Sequence, residues 1–102
     1  MDKEQSLDIV RAYLKAMRSA GFDVKAAFLF GSAARGTAGK DSDIDVALII
    51  DGMANSFDAQ VELMKLRRSV DLRLEPHPFP SQDVADPSDF LADIMENGIR
   101  VA

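Results

Sequence analysis

The 102 residues contain no cysteine and no tryptophan, and only one tyrosine and one histidine. Without cysteine there can be no disulfide, thiol catalysis or thiolate zinc site, and one imidazole cannot build a histidine-rich metal centre. A metal site here must rest on oxygen ligands. No apolar run approaches the ~18 residues of a membrane span, and the polar start Met1-Asp2-Lys3-Glu4-Gln5 lacks the pattern of a signal peptide. A soluble, cytoplasmic protein is the expectation. Positive charge is also scarce, with 12 basic against 17 acidic residues and a net charge of −5. That balance argues against a nucleic-acid partner, because such binding rests on neutralising phosphates. It still permits a nucleotide site built through a divalent cation, and it suits docking on a basic protein. The length predicts one domain over residues 1–102 with one core and no room for a second domain. Repeats and low-complexity segments are missing as well.

What is present is a regular alternation of patterns. Leu7, Val10, Leu14 and Met17 recur at helical spacing behind Asp2 and Gln5 as a capping pair, which predicts a helix over about 3 to 20 stopped by Gly21. Tyr13 is expected half-buried on it. Ala26-Ala27-Phe28-Leu29-Phe30 predicts a buried strand, followed by a Gly-Ser turn, a short helical piece and a polar loop. A second strand is predicted over about 44 to 50. Phe57, Val61, Leu63, Met64 and Leu66 then form a helical stripe ending at Arg67-Arg68, basic residues that suit a helix C-terminus. Val70-Asp71-Leu72-Arg73-Leu74-Glu75 alternates as a half-buried strand does, with Pro76, Pro78 and Pro80 expected to end it and His77 expected in a solvated loop. Asp86 as N-cap and Pro87 at the first helical position predict a last helix carrying Phe90, Leu91, Ile94 and Met95, closed by Asn97-Gly98. Ile99-Arg100-Val101 is a candidate final strand. The fold class predicted is α+β, a mixed sheet of three to four strands with helices packed on it.

The chemistry concentrates where the first strand ends and the second begins. Glycine at 31 lets the chain approach an anion, and unsatisfied N–H groups at a helix start attract phosphate, with the Ser32 hydroxyl as a further donor. Arg35, one turn on, is placed to reach a phosphate, and Lys40 lies in a loop able to close on it. Side chains alternate along a strand, so Asp43 and Asp45 share a face, separated by about 6–7 Å. Such a pair suits magnesium ions about 3.5–4 Å apart, since Mg²⁺ takes a few carboxylates plus substrate phosphates. Together these features suggest metal-assisted chemistry on a nucleoside triphosphate.

The string Gly31-Ser32, ten residues, Asp43-Ile44-Asp45 resembles the nucleotidyltransferase superfamily with the DNA polymerase β type of palm. The fuller string Gly31-Ser32-Ala33-Ala34-Arg35-Gly36 with Ser42-Asp43-Ile44-Asp45 is similar to its minimal nucleotidyltransferases, and Phe90 to Ile99 resembles that family's ending. The resemblance implies that Asp43 and Asp45 ligate two Mg²⁺ ions, that Gly31, Ser32, Arg35 and Ser42 hold the triphosphate, and that Asp71 is the third, catalytic and metal-binding carboxylate; Glu75, on the same face of the predicted strand, is its substitute. It implies ATP as donor and pyrophosphate as product. Such proteins are often encoded beside a small helical HEPN-type ribonuclease and act as antitoxins that transfer AMP to a tyrosine of that toxin. A small-molecule acceptor, and a non-catalytic antitoxin that works by binding, are the alternatives.

Overall fold

Helix α1 (Lys3–Ser19) opens with the predicted reciprocal cap: Gln5 N donates to Asp2 Oδ1 (2.8 Å) and Asp2 N to Gln5 Oε1 (3.0 Å). Its buried stripe is Leu7, Val10, Tyr13, Leu14 and Met17. Tyr13 is wholly buried rather than half-buried, because its hydroxyl finds an acceptor inside, the Leu63 carbonyl at 2.6 Å. Burial pushes that phenol well above its ordinary pKa. The computed structural model describes residues 2–53 and 55–102, and among them no helix is long and apolar enough to cross a membrane.

After Gly21 the chain runs through strand β1 (Asp23–Phe30), helix α2 (Gly31–Arg35), strand β2 (Ile44–Asp51) and helix α3 (Ser56–Leu66), which continues as a 3-10 turn over Arg67–Ser69. Strand β3 (Leu74–Pro80), helix α4 (Asp89–Asn97) and strand β4 (Ile99–Arg100) complete it. The sheet order is β3-β2-β1-β4, with β1 antiparallel to β2 and β4, and β3 parallel to β2. The fold is therefore the predicted α+β class, a four-stranded mixed sheet with helices on both faces.

Alternation along the strands divides the core in two. Val24, Leu29, Ile44, Val46, Leu48, Ile50 and Leu74 pack with Leu63 and the buried stripe of α1. Ala26, Phe28, Ala47 and Ile49 turn the other way, toward Leu91 and Ile94 of α4. A bulge in β1 between Val24 and Ala26 lets Lys25 stay exposed while both faces remain apolar.

Two predicted boundaries are corrected. The third strand does not span 70–75 and is not ended by prolines. It begins at Leu74 and runs through Pro76, Pro78 and Pro80. It is an edge strand, and Ile44 N donates to Arg73 O (2.8 Å), so odd-numbered backbone groups face β2. Every second amide, the proline positions, faces outward where no ladder bond is lost. The last helix is capped by Ser88, whose hydroxyl accepts from Leu91 N (3.2 Å), not by Asp86. Pro87 therefore precedes the cap instead of opening the helix.

Candidate active site

Strand pairing assembles the site on the sheet face that carries α4. Phe30 pairs with Asp45, and Asp45 with Glu75, so the three side chains form one row across β1, β2 and β3. The next row is Phe28, Ala47 and His77. Asp43 lies two residues before Asp45 on the same face, exposed at the mouth of the strand.

Where β1 ends, Gly31 adopts φ +71°, a conformation that disfavours any residue with a Cβ. A Cβ built there would lie 2.7 Å from Asp45 Oδ2, so glycine is needed twice, for the turn and for the approach of the carboxylate. The other oxygen, Oδ1, lies 3.3 Å from His77 Nε2. The imidazole stands edge-on to Phe30 and Phe90, with centroids at 5.0 and 6.1 Å, and Phe30 meets Phe90 at 5.7 Å. Asp45 is thus bracketed between a glycine turn and a caged histidine.

The remaining expected residues are scattered more widely. Ser32 and Arg35 lie on α2, and Arg35 borders a cleft of about 260 Å³ shared with Gly31, Asp93 and Asn97. The Ser42 hydroxyl accepts from Gly39 N (2.9 Å) and so braces the loop. Lys40 is exposed, and its carbonyl accepts from Arg73 (2.9 Å). Asp71 is not on a strand. It sits in the turn before β3, where Oδ1 accepts from Arg73 N and Nε (both 2.9 Å) and Oδ2 from the Arg73 guanidinium at 2.7 Å. Those hydrogen bonds hold its carboxyl below the ordinary carboxylate range. Glu75, its substitute, is the residue that register sets beside Asp45, and its Oε1 lies 3.4 Å from Arg67.

Among the described residues, no three His, Cys, Asp or Glu side chains are gathered as a metal cluster, so Asp43, Asp45 and Asp71 do not form the expected triad. The donors that are present still fit magnesium. They are hard oxygens at the start of β2, Asp43 just before the strand and Asp45 within it, the latter in a cradle that a Cβ would fill, and Mg²⁺ commonly binds one or two carboxylates plus substrate phosphates. His77 is expected in a solvated loop, with a place flanking the nucleotide or the acceptor as the alternative, because three prolines look like breakers; their spacing of two is itself the period of a strand, and His77 lies on β3.

A Gly-Ser turn against an Asp-x-Asp strand, on a four-stranded mixed sheet, defines a nucleotidyltransferase-type palm. The model of the nucleotidyltransferase domain matches residues 7–97, and the chain belongs to that family. No curated protein matches it in sequence. A Sulfolobus solfataricus protein described as a candidate nucleotidyltransferase is similar in structure (TM-score 0.61, 20% identity, covering 81% of this chain and 74% of that one). So is a mutant of the toxin–antitoxin MntA-HpeT that carries two aspartate-to-glutamate exchanges (TM-score 0.65, 21% identity, covering 90% and 71%). A toxin–antitoxin structure with AMP-PNP is similar too (TM-score 0.66, 22% identity, covering 94% and 72%).

Proposed function

We infer that the chain is a Mg²⁺-dependent adenylyltransferase that moves AMP from ATP to a tyrosine hydroxyl of a HEPN-type toxin partner and so acts as its antitoxin. The observation that carries this reading is the fit of Gly31 against Asp45: a Cβ at Gly31 would lie 2.7 Å from Asp45 Oδ2, so the Gly-Ser turn and the Asp-x-Asp carboxylate are close neighbours. The likeness to toxin–antitoxin structures, one of them with AMP-PNP, supports the choice of nucleotide and partner.

Asp43 and Asp45 would hold the metal, which when bound neutralises the triphosphate and aligns its α-phosphate with the attacking hydroxyl. The backbone amides after Gly31 and the Ser32 hydroxyl hold the phosphates, and Arg35 approaches from the end of α2. Attack of the tyrosine oxygen on the α-phosphorus expels pyrophosphate. Register favours Glu75 over Asp71 as the carboxylate that takes the hydroxyl proton, because Asp71 is committed to Arg73. Beside His77 runs an open groove of about 440 Å³ lined by Ser56, Phe57, Gln60, Pro78, Phe79 and Phe90. Its exposed rim residues, Phe57 at 72% and Phe90 at 51%, suit an aromatic acceptor.

The test is to incubate the chain with Mg²⁺, α-labelled ATP and the product of the adjacent reading frame. Label on the partner, lost in the double variant Asp43→Asn with Asp45→Asn, supports the reading. Neutralisation that survives in that variant without label indicates masking by binding, and label found only on a small molecule redirects the acceptor.

A further inference from the structure

Asp45 is held from two sides, and only one of them belongs to the recognised motif. Gly31 leaves room for Oδ2. Oδ1 faces His77, which no part of the Gly-Ser or Asp-x-Asp pattern includes. An ionised carboxylate only accepts hydrogen bonds, so the 3.3 Å contact bonds when the proton sits on Nε2.

We propose that His77 is a positioning residue of the metal site: its Nε2–H fixes the Asp45 carboxylate so that Oδ2 is presented to the cation beside the Gly31 turn. The proposal rests on the reading of Asp45 as a metal ligand. Four observations converge on it. His77 shares a face with Asp45, one step further along the sheet. Its backbone lies between Pro76 and Pro78, and a residue preceding proline is confined to extended geometry, so the Cβ direction is set. Its ring is wedged against Phe30 and Phe90, which limits rotation about χ2. Glu75, directly opposite Asp45 in register, has a carboxylate oxygen near Arg67, and among the described residues His77 is the β3 side chain within hydrogen-bond distance of Asp45.

A hydrogen bond to the outer oxygen of a ligating carboxylate sets which lone pairs face the metal, and removing such a partner costs about 10–100-fold in metal affinity. The ring and the hydrogen bond are separable. His77→Phe keeps the aromatic packing and loses the donor, whereas His77→Gln keeps a donor near the Nε2 position and loses the ring.

The experiment titrates Mn²⁺ into the full chain by electron paramagnetic resonance, with circular dichroism to confirm folding. Wild type, His77→Phe, His77→Gln and Asp45→Asn are compared. Affinity should fall about 10–100-fold in His77→Phe, stay near wild type in His77→Gln, and collapse in Asp45→Asn. Wild-type affinity in His77→Phe, with binding still lost in Asp45→Asn, overturns the role of His77 alone. Wild-type affinity in Asp45→Asn overturns the metal-site reading and the proposal with it. A nitrogen coupling to bound Mn²⁺ that vanishes in His77→Phe would make the imidazole a direct ligand and also overturn the positioning role.

Discussion

Gly31→Ala and Gly36→Ala form a matched pair that isolates the contact on which the site depends. Both glycines have left-handed backbones, φ +71° and +72°, so an alanine at either position carries a strain of about 1–2 kcal/mol. At Gly36 nothing lies within 4 Å of the added Cβ, so strain is the whole effect. At Gly31 the Cβ meets Asp45 Oδ2 at 2.7 Å, where ordinary contacts begin near 3.4 Å, so the carboxylate must retreat by about 0.7 Å. For a domain of this size each kcal/mol lowers Tm by about 4–8 °C. Both variants should therefore melt lower by about 4–16 °C. A shift approaching 1 Å in a catalytic geometry costs up to about 100-fold, so Gly31→Ala should lose on the order of 10–100-fold in AMP transfer and bind Mn²⁺ more weakly, while Gly36→Ala does neither. Thermal melts, Mn²⁺ titration and label transfer measure the three quantities. If Gly31→Ala matches Gly36→Ala in Mn²⁺ affinity and transfer, Gly31 serves the turn only and the contact argument is refuted.

Other consequences are open to direct measurement. Glu75→Gln should cut AMP transfer by about 10²-fold or more, the usual scale of a lost acid–base group, whereas Asp71→Asn should leave Mn²⁺ affinity unchanged; the opposite ranking would restore Asp71 as the third carboxylate. The Asp71 carboxyl is held below its ordinary pKa by Arg73, so its contribution is present at neutral pH and lost as pH falls through the folded-state value. Denaturant melts should accordingly show Asp71→Asn less stable than wild type at pH 7, with the gap closing below about pH 4. Tyr13 has the reverse sign, since its raised pKa keeps its contribution intact below about pH 10 and removes it above. Tyr13→Phe should cost about 1 kcal/mol at neutral pH, for the bond to Leu63 O, and should flatten the alkaline loss of stability.

The residues differ in how much of their role could be read before any coordinates. Asp2 with Gln5, and the stripe from Leu7 to Met17, are local signals. A cap and a helical period depend on neighbours within a turn, and both stand as expected. The placement of Gly31, Ser32, Asp43 and Asp45 at one junction was legible because a motif spacing encodes where two adjacent strands meet. Glu75 was legible only as a substitute for Asp71, and the place of His77 beside Asp45 was not, because both positions follow from the pairing of β3 with β2, some 30 positions away in the chain. Alternation within Val70 to Glu75 pointed to Asp71 as the outward residue, yet the ion pair with Arg73 fastens that segment as a turn. Asp86 reads as the cap of the last helix, but Ser88 closes it, in the position that seats Leu91 and Ile94 of α4 over Ala47 and Ile49.

The misread prolines also decide how a partner can approach. An exposed edge strand invites another chain to pair with it, and β3 is the edge beside the site. Pro76, Pro78 and Pro80 have no N–H to donate, and they occupy the outward positions. Two outward carbonyls of the strand are engaged as well, that of Leu74 by Arg67 (3.0 Å) and that of Pro76 by Gln60 (3.1 Å). Strand addition therefore finds no N–H donor at the proline positions and only part of the acceptor row. On the reading that the acceptor is a protein, side chains would recognise it instead, at the groove beside His77 where Phe57 of α3 and Phe90 of α4 stand exposed on the rim. The feature that blocks the edge is the same one that holds His77 in line with Asp45. Denying other strands its N–H donors and holding its one histidine beside the Asp45 carboxylate are two results of a single alternation of proline along the strand.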